Sequence, residues 1–100
     1  MKEIKKHIEE IKRICDSNKV KSLFVFGSAA INKLKLESDI DLLVEINETD
    51  PIKYSDCYFA LKFALEKIFK RQIDLLEKHA LKNPFFKERI EKTMVSVYEK

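Results

Sequence analysis

The sequence predicts one small domain of the α/β (α+β) class, in which a mixed three-stranded sheet is flanked by about four helices. The chain has 100 residues, 45% of them hydrophobic, which is enough for one compact core and too little for two domains. It contains one glycine and two prolines, so regular elements must dominate it. Apolar residues follow helical and strand spacing in alternation along the chain. Residues 1–100 are therefore expected to form a single domain.

Each predicted element has its own local signal. Isoleucines recur at helical spacing in the charged first segment, and the apolar run 20–26 is rich in residues that favour strands. Asp50 is the expected N-cap of a helix with Pro51 at its first position, and the pair Asn83-Pro84 opens another helix. In chain order we predict a helix at 2–17, a strand at 20–26, a short helix from Ser28 to about residue 34, a strand at 39–46, a helix from 51 to about 70, a strand at 72–76 and a helix from 84 to about 97.

Composition argues against several classes of protein. The net charge of +3 is mild, and lysines are interleaved with glutamates, whereas a nucleic-acid-binding domain usually concentrates its basic residues on one face. Cys15 and Cys57 make a poor disulfide framework, and no signal peptide or membrane span is visible, which indicates a cytoplasmic protein with reduced thiols. His7 and His79 have no second metal ligand at a suitable spacing, so we interpret both as structural.

The only glycine ends the first predicted strand and is followed by a serine. A glycine at this point allows a ligand to approach the backbone closely. Ser28 then adds a hydroxyl and the first free amides of a helix, whose positive dipole end favours phosphate. Gly27 and Ser28 are thus candidate phosphate-binding residues, although a strand, a Gly-Ser pair and a helix also occur together without any ligand.

Two aspartates follow at alternate positions of the second predicted strand. Residues i and i+2 of a strand point to the same face, so Asp39 and Asp41 should project side by side while Ile40 and its alternate neighbours (Leu42, Val44, Ile46) face the other way. Carboxylates held this close repel each other unless a cation lies between them, and oxygen ligands suit Mg²⁺. The alternative is that both acids simply occupy the exposed end of a strand.

Asp74 lies in the otherwise apolar third strand, where an unpaired charge is costly. In-line phosphoryl transfer uses two metal ions that clamp the attacking and leaving oxygens, and a third carboxylate beside the Asp39–Asp41 pair would complete such a site. The alternative for Asp74 is an acid at a strand edge that pairs with Lys70 or Arg71.

The combined pattern resembles the polymerase-β nucleotidyltransferase superfamily. Gly27-Ser28, ten further residues, Asp39-x-Asp41 and an acid in a later strand match its motif, and the closest resemblance is to the minimal nucleotidyltransferase (MNT) branch. The similarity extends over nearly the whole chain and implies the nucleotidyltransferase fold.

The resemblance also implies a role for each position. Gly27 and Ser28 would bind the terminal phosphates of ATP. Asp39 and Asp41 would hold two Mg²⁺ ions, and Asp74 would bind one of them and help to deprotonate the attacking hydroxyl. Pyrophosphate would leave as AMP is transferred. The chain departs from the family at 29–32, where Ala-Ala-Ile-Asn replaces the frequent Arg-x-Arg-Gly-like stretch, and Lys33 or Lys35 is a possible substitute for the lost charges.

Minimal nucleotidyltransferases commonly act as antitoxins beside HEPN-domain toxins, in some systems by adding AMP to a toxin tyrosine, and the resemblance implies the same partner here. The long helix also carries apolar residues almost all the way round, so some of them should be exposed or covered by another chain unless the terminal helices cover them. Neutralisation of the toxin by binding alone is the alternative function, and an RNA-modifying transferase is a third.

Overall fold

The computed structural model describes residues 2–27, 30–31 and 39–100. Within these ranges the chain forms helices, strands and one short 3-10 helix. In chain order they are α1 (Lys2–Lys6), α2 (Ile8–Ser17), β1 (Val20–Phe26), β2 (Ile40–Ile46), α3 (Pro51–Phe69), β3 (Ile73–Glu77), the 3-10 helix (Lys78–Ala80), α4 (Pro84–Thr93) and β4 (Val95–Glu99).

The sheet has four strands in the order β3-β2-β1-β4, one more than the sequence predicted. β1 is antiparallel to both β2 and β4, and β2 is parallel to β3, so the predicted mixed character is confirmed. The helix expected to run to about residue 97 ends at Thr93, because Met94 is extended and Val95–Glu99 pairs with the free edge of β1. That pairing satisfies backbone groups of β1 that a three-stranded sheet would leave open.

Capping side chains begin, at the expected positions, the two helices that were predicted to start with a proline. Asp50 accepts hydrogen bonds from the amides of Ile52 (2.9 Å) and Lys53 (3.2 Å), and α3 then runs from Pro51 to Phe69. Asn83 caps α4 in the same way, with Pro84 at its first position. The first predicted helix is divided into α1 and α2 at His7, whose ring packs edge-on against Phe69 at 5.5 Å.

The sheet separates two apolar clusters of unequal size. The larger cluster joins α1, α2 and α3 to one face of the sheet, and its β2 members are the four alternate residues predicted to oppose the aspartates. The smaller cluster lies under α4 and contains Phe26, Leu43 and Ile90. Leu43 and Asp41 are two residues apart on β2, so the Asp41 side chain lies on the same face of the sheet as α4.

The short helix predicted after Ser28 lies largely outside the described residues. Ala30 and Ile31 are described, and the Ala30 amide donates a turn hydrogen bond to the Gly27 carbonyl at 3.1 Å. None of the helices in the described ranges has the length and apolar character needed to cross a membrane.

Candidate active site

Asp41 and Asp74 are neighbours across two parallel strands. The β2–β3 register pairs Asp41 directly with Asp74, and on the other side the β1–β2 register pairs Asp41 with Phe26, the last residue before Gly27. The end of β1 and the beginnings of β2 and β3 therefore lie next to each other, at one end of these strands. These residues belong to separate elements of the chain, and the strand pairing brings them together.

Gly27 meets the Asp41 carboxylate so closely that no other residue fits there without strain. Its φ is +70°, in the left-handed region that side chains disfavour, and a Cβ at this position would lie 2.7 Å from Asp41 Oδ2. The expectation that the only glycine marks a special backbone position is thus explained by two independent constraints, and both concern the site.

The three predicted aspartates interact electrostatically. Burial raises the pKa of the Asp41 carboxyl, and the negative charges of Asp74 and Asp39 together with a hydrogen bond to Asp74 raise it further. Asp39 is exposed just before β2. Asp74 is also exposed, on an edge strand, so the burial that the sequence analysis gave as the cost of its charge does not occur. Its proximity to Asp41 supplies the repulsion, which a bound cation would relieve.

The donor set of this site fits a hard divalent ion bound together with a nucleotide. Within the described ranges no three acidic, histidine or cysteine side chains are arranged to surround one ion by themselves. Mg²⁺ in nucleotide sites usually takes one or two protein carboxylates and fills its remaining positions with water and phosphate oxygens. The pair Asp41–Asp74, with Asp39 nearby, meets that requirement.

A cavity of about 560 Å³ opens beside the aspartates and is within the usual size range of small-ligand sites. One wall contains Gly27, Asp41 and Asp74. The α4 residues that line the same cavity are Phe86, Arg89, Ile90, Lys92 and Thr93. Between the two sets of residues the Gly27 amide donates a hydrogen bond to Thr93 Oγ1 at 3.1 Å.

The contribution of α4 was missed in the sequence analysis. The spacing of Phe86, Arg89 and Thr93 (i, i+3, i+7) places them on one helix face and was the available signal. The spacing does not show where α4 packs, so it could not indicate that this helix face lines the cavity. Ser28, the other predicted phosphate ligand, lies outside the described residues, as do Lys33 and Lys35.

Both histidines make contacts within the fold and lie away from the cavity. His7 packs on Phe69, and the ring of His79 is edge-on to Tyr54, with its Nε2 3.4 Å from Glu77 Oε2. These contacts agree with the interpretation of both residues as structural.

This chain combines a mixed sheet with two neighbouring strand aspartates that lie beside a glycine turn. That combination is typical of nucleotidyltransferase domains. The family model described as "Polymerase beta, Nucleotidyltransferase" matches residues 9–100, and the chain belongs to this family.

Similar proteins support this assignment. A "putative protein adenylyltransferase" of Methanocaldococcus jannaschii is 39% identical over 98 residues, which cover 97% of each protein. A solved structure described as a "putative minimal nucleotidyltransferase" has a TM-score of 0.75 at 25% identity and covers 91% of this chain and 89% of its own. A chain from a solved complex of a tri-AMPylated Shewanella oneidensis HEPN toxin with an MNT antitoxin has a TM-score of 0.65 at 16% identity, covering 97% of this chain and 73% of its own.

Proposed function

We propose that this protein is a Mg²⁺-dependent protein adenylyltransferase that transfers AMP from ATP to a tyrosine hydroxyl of a HEPN-domain toxin and thereby acts as its antitoxin. The observation that carries the proposal is that Asp41 and Asp74 are neighbours across two strands and that Gly27 closely approaches Asp41. All three residues line a cavity of nucleotide size. Asp39, Asp41 and Asp74 would hold the metal, and Gly27 and Ser28 would adjoin the terminal phosphates.

The proposed reaction is an in-line displacement at the α-phosphorus. The tyrosine oxygen forms a bond to phosphorus as the bond to the α,β-bridging oxygen breaks, and pyrophosphate leaves with that electron pair. Asp74 accepts the tyrosine proton. Bound Mg²⁺ would supply charge stabilisation to the phosphate oxygens. The Gly27 amide, which donates to Thr93 Oγ1, would donate to a phosphate oxygen of the bound nucleotide instead.

Protein similarity supports the type of acceptor. The relative from M. jannaschii is named as a protein adenylyltransferase with the qualifier "putative", and the similar complex from S. oneidensis contains an AMPylated HEPN toxin. Transfer to RNA has less support, because the basic residues are scattered among acidic ones.

An exposed aromatic surface on α3 supports association with a protein partner. Leu61, Leu65 and Phe69 form the buried stripe of this helix. On its outer side Phe59 and Phe63 stack with ring centres 5.9 Å apart and remain 47% and 60% exposed. The terminal helices therefore leave part of the apolar surplus uncovered, and the same surface favours the second candidate function, neutralisation by binding alone.

The proposed function is tested first by metal-dependent nucleotide binding and transfer. We expect calorimetry to detect ATP binding with Mg²⁺ and to find it lost with a chelator, because the phosphates and the carboxylates would otherwise repel each other. Replacing both Asp39 and Asp41 with Asn should abolish transfer of labelled AMP to a purified HEPN-domain protein while the circular dichroism spectrum is retained. Equal ATP affinity with Mg²⁺ and with chelator would contradict a metal site.

The aromatic surface is tested by Phe63→Glu. A charge at this exposed position should weaken association with the HEPN-domain protein by about tenfold or more, as for a central interface aromatic, with little change in the melting temperature. Phe85→Glu is the matched control, since Phe85 is 77% exposed on α4, on the opposite face of the sheet. Tyr58→Glu should instead destabilise the monomer, because the Tyr58 hydroxyl donates to the Leu75 carbonyl at 2.6 Å. Unchanged association of the Phe63 variant in light scattering would remove this surface from the interface.

A further inference from the structure

Two cations of α4 line the same cavity as the aspartates. Arg89 and Lys92 line the cavity together with Asp41 and Asp74, and both are exposed at their own positions. Among the ion pairs formed by the described residues, none involves either cation. Lys92 lies in the last turn of α4, where a cation is favoured by the helix dipole, but that effect does not account for Arg89 one turn earlier.

The position of α4 relative to Gly27 brings these charges to the phosphate end of the site. The hydrogen bond between the Gly27 amide and Thr93 Oγ1 holds the C-terminal end of α4 against the glycine turn. Lys92 immediately precedes Thr93 in the chain, and both residues line the same cavity as Gly27. A phosphate group adjoining Gly27 would therefore have α4 as its other neighbour.

Positive side chains at this point would add to the charge that the proposed Mg²⁺ ions supply. A nucleoside triphosphate carries several negative charges, and the protein wall around Asp41 and Asp74 adds more. The residues at 29–32, Ala-Ala-Ile-Asn, contribute no positive charge after the glycine turn. Arginine and lysine are the side chains best suited to bind phosphate oxygens through charged hydrogen bonds.

We infer that Arg89 and Lys92 bind the β- and γ-phosphates of the nucleotide, so that α4 supplies positive charge that residues 29–32 lack. This inference rests on the proposed function and adds two binding residues to it. In the transfer step the bond from the α-phosphorus to its bridging oxygen breaks, and the negative charge develops on the departing pyrophosphate. The two cations face that pyrophosphate, and they therefore stabilise the leaving group as well as bound ATP.

The test compares Arg89→Gln and Lys92→Gln with Lys87→Gln in the full chain. Lys87 is on the same helix and carries the same charge, but it lines a separate small cavity next to Leu81 and Met94. Calorimetry in the presence of Mg²⁺ should show that each cavity variant raises the Kd for ATP by about tenfold, the usual effect of losing a charged hydrogen bond. The Kd for AMP, which lacks the β- and γ-phosphates, should change by less than about twofold on the same reasoning. Lys87→Gln should leave both constants unchanged, and Arg89→Lys should recover most of the ATP affinity.

Each other outcome has a distinct meaning. Wild-type affinity for ATP in both cavity variants would overturn the inference while leaving the proposed function intact. Equal losses for ATP and AMP would also overturn it, because the contact would then not be to the terminal phosphates. Failure of the wild-type protein to bind ATP with Mg²⁺ would refute the proposed function itself and the inference with it. Melting temperatures of the variants, expected to match the wild type at such exposed positions, exclude a folding defect.

Discussion

Asp74→Asn should abolish nucleotidyl transfer while making the metal-free protein more stable at neutral pH. The substitution preserves shape and removes one of the charges that act on Asp41. Because Asp74 is exposed, the relief of repulsion should be near the water-like limit, about 1 kcal/mol for like charges about 4 Å apart. The same change removes a proposed metal ligand and the proton acceptor, so transfer should fall by orders of magnitude.

The stability gain should depend on pH with a defined sign. The pKa of Asp41 is raised in the folded state, so folding binds a proton at this carboxyl more tightly than the unfolded chain does. The favourable contribution is complete below the unfolded value of 3.8 and is lost as pH rises through the folded value. Asp74→Asn should therefore raise the melting temperature at pH 7 and have little effect at pH 3. Asp56→Asn on α3, where the substitution is the same and the side chain is exposed, is the control for melting.

Cell growth in the presence of the toxin separates the two candidate functions. If Asp74→Asn loses both AMP transfer and rescue of growth, the antitoxin acts as an enzyme. If rescue survives without transfer, it acts by binding. A metal-free Asp74→Asn protein that is less stable than the wild type at pH 7 would show that Asp74 is a paired structural acid and would remove it from the site.

Gly27→Ala should damage both folding and transfer. An alanine at φ +70° costs about 1–2 kcal/mol in the left-handed region, and its Cβ would lie 2.7 Å from Asp41 Oδ2. Either the glycine turn or the Asp41 carboxylate must move. Because displacement of a catalytic group by about 1 Å can cost about a hundredfold in rate, we expect transfer to fall by at least that factor.

A double-mutant cycle separates the two causes of this effect. Asp41→Ala removes the carboxylate that the new Cβ would meet but leaves the left-handed backbone unchanged. Thermal unfolding should show that Gly27→Ala costs less in the Asp41→Ala background than in the wild type, and the difference measures the steric contact. If Gly27→Ala has wild-type stability and transfer, the close approach of Gly27 and Asp41 is not part of the site.

Local sequence was sufficient for most elements and for the separate parts of the site. Asp50 is followed by Pro51, and the α3 N-cap predicted from that pair is confirmed because capping depends on neighbours within three residues. The alternation of Asp41 with buried β2 residues is confirmed for the same reason, since strand periodicity is local. The roles assigned to Gly27, Ser28, Asp39, Asp41 and Asp74 came from family resemblance and stay predictions until they are tested.

Tertiary structure decided what these parts do together. The last predicted helix included residues 95–97, which instead belong to β4, because the open edge of β1 offers backbone hydrogen bonds that local helix and strand propensities do not take into account. The same pairing stops α4 at Thr93, and Arg89 of this helix lines the cavity that Asp41 also lines. The sequence by itself determined most of the elements and the caps of α3 and α4, and it gave Gly27, Asp41 and Asp74 as candidate site residues. Only the tertiary structure, which joins residues far apart in the chain, determined that Asp74 lies beside Asp41 and that α4 lines the cavity next to them.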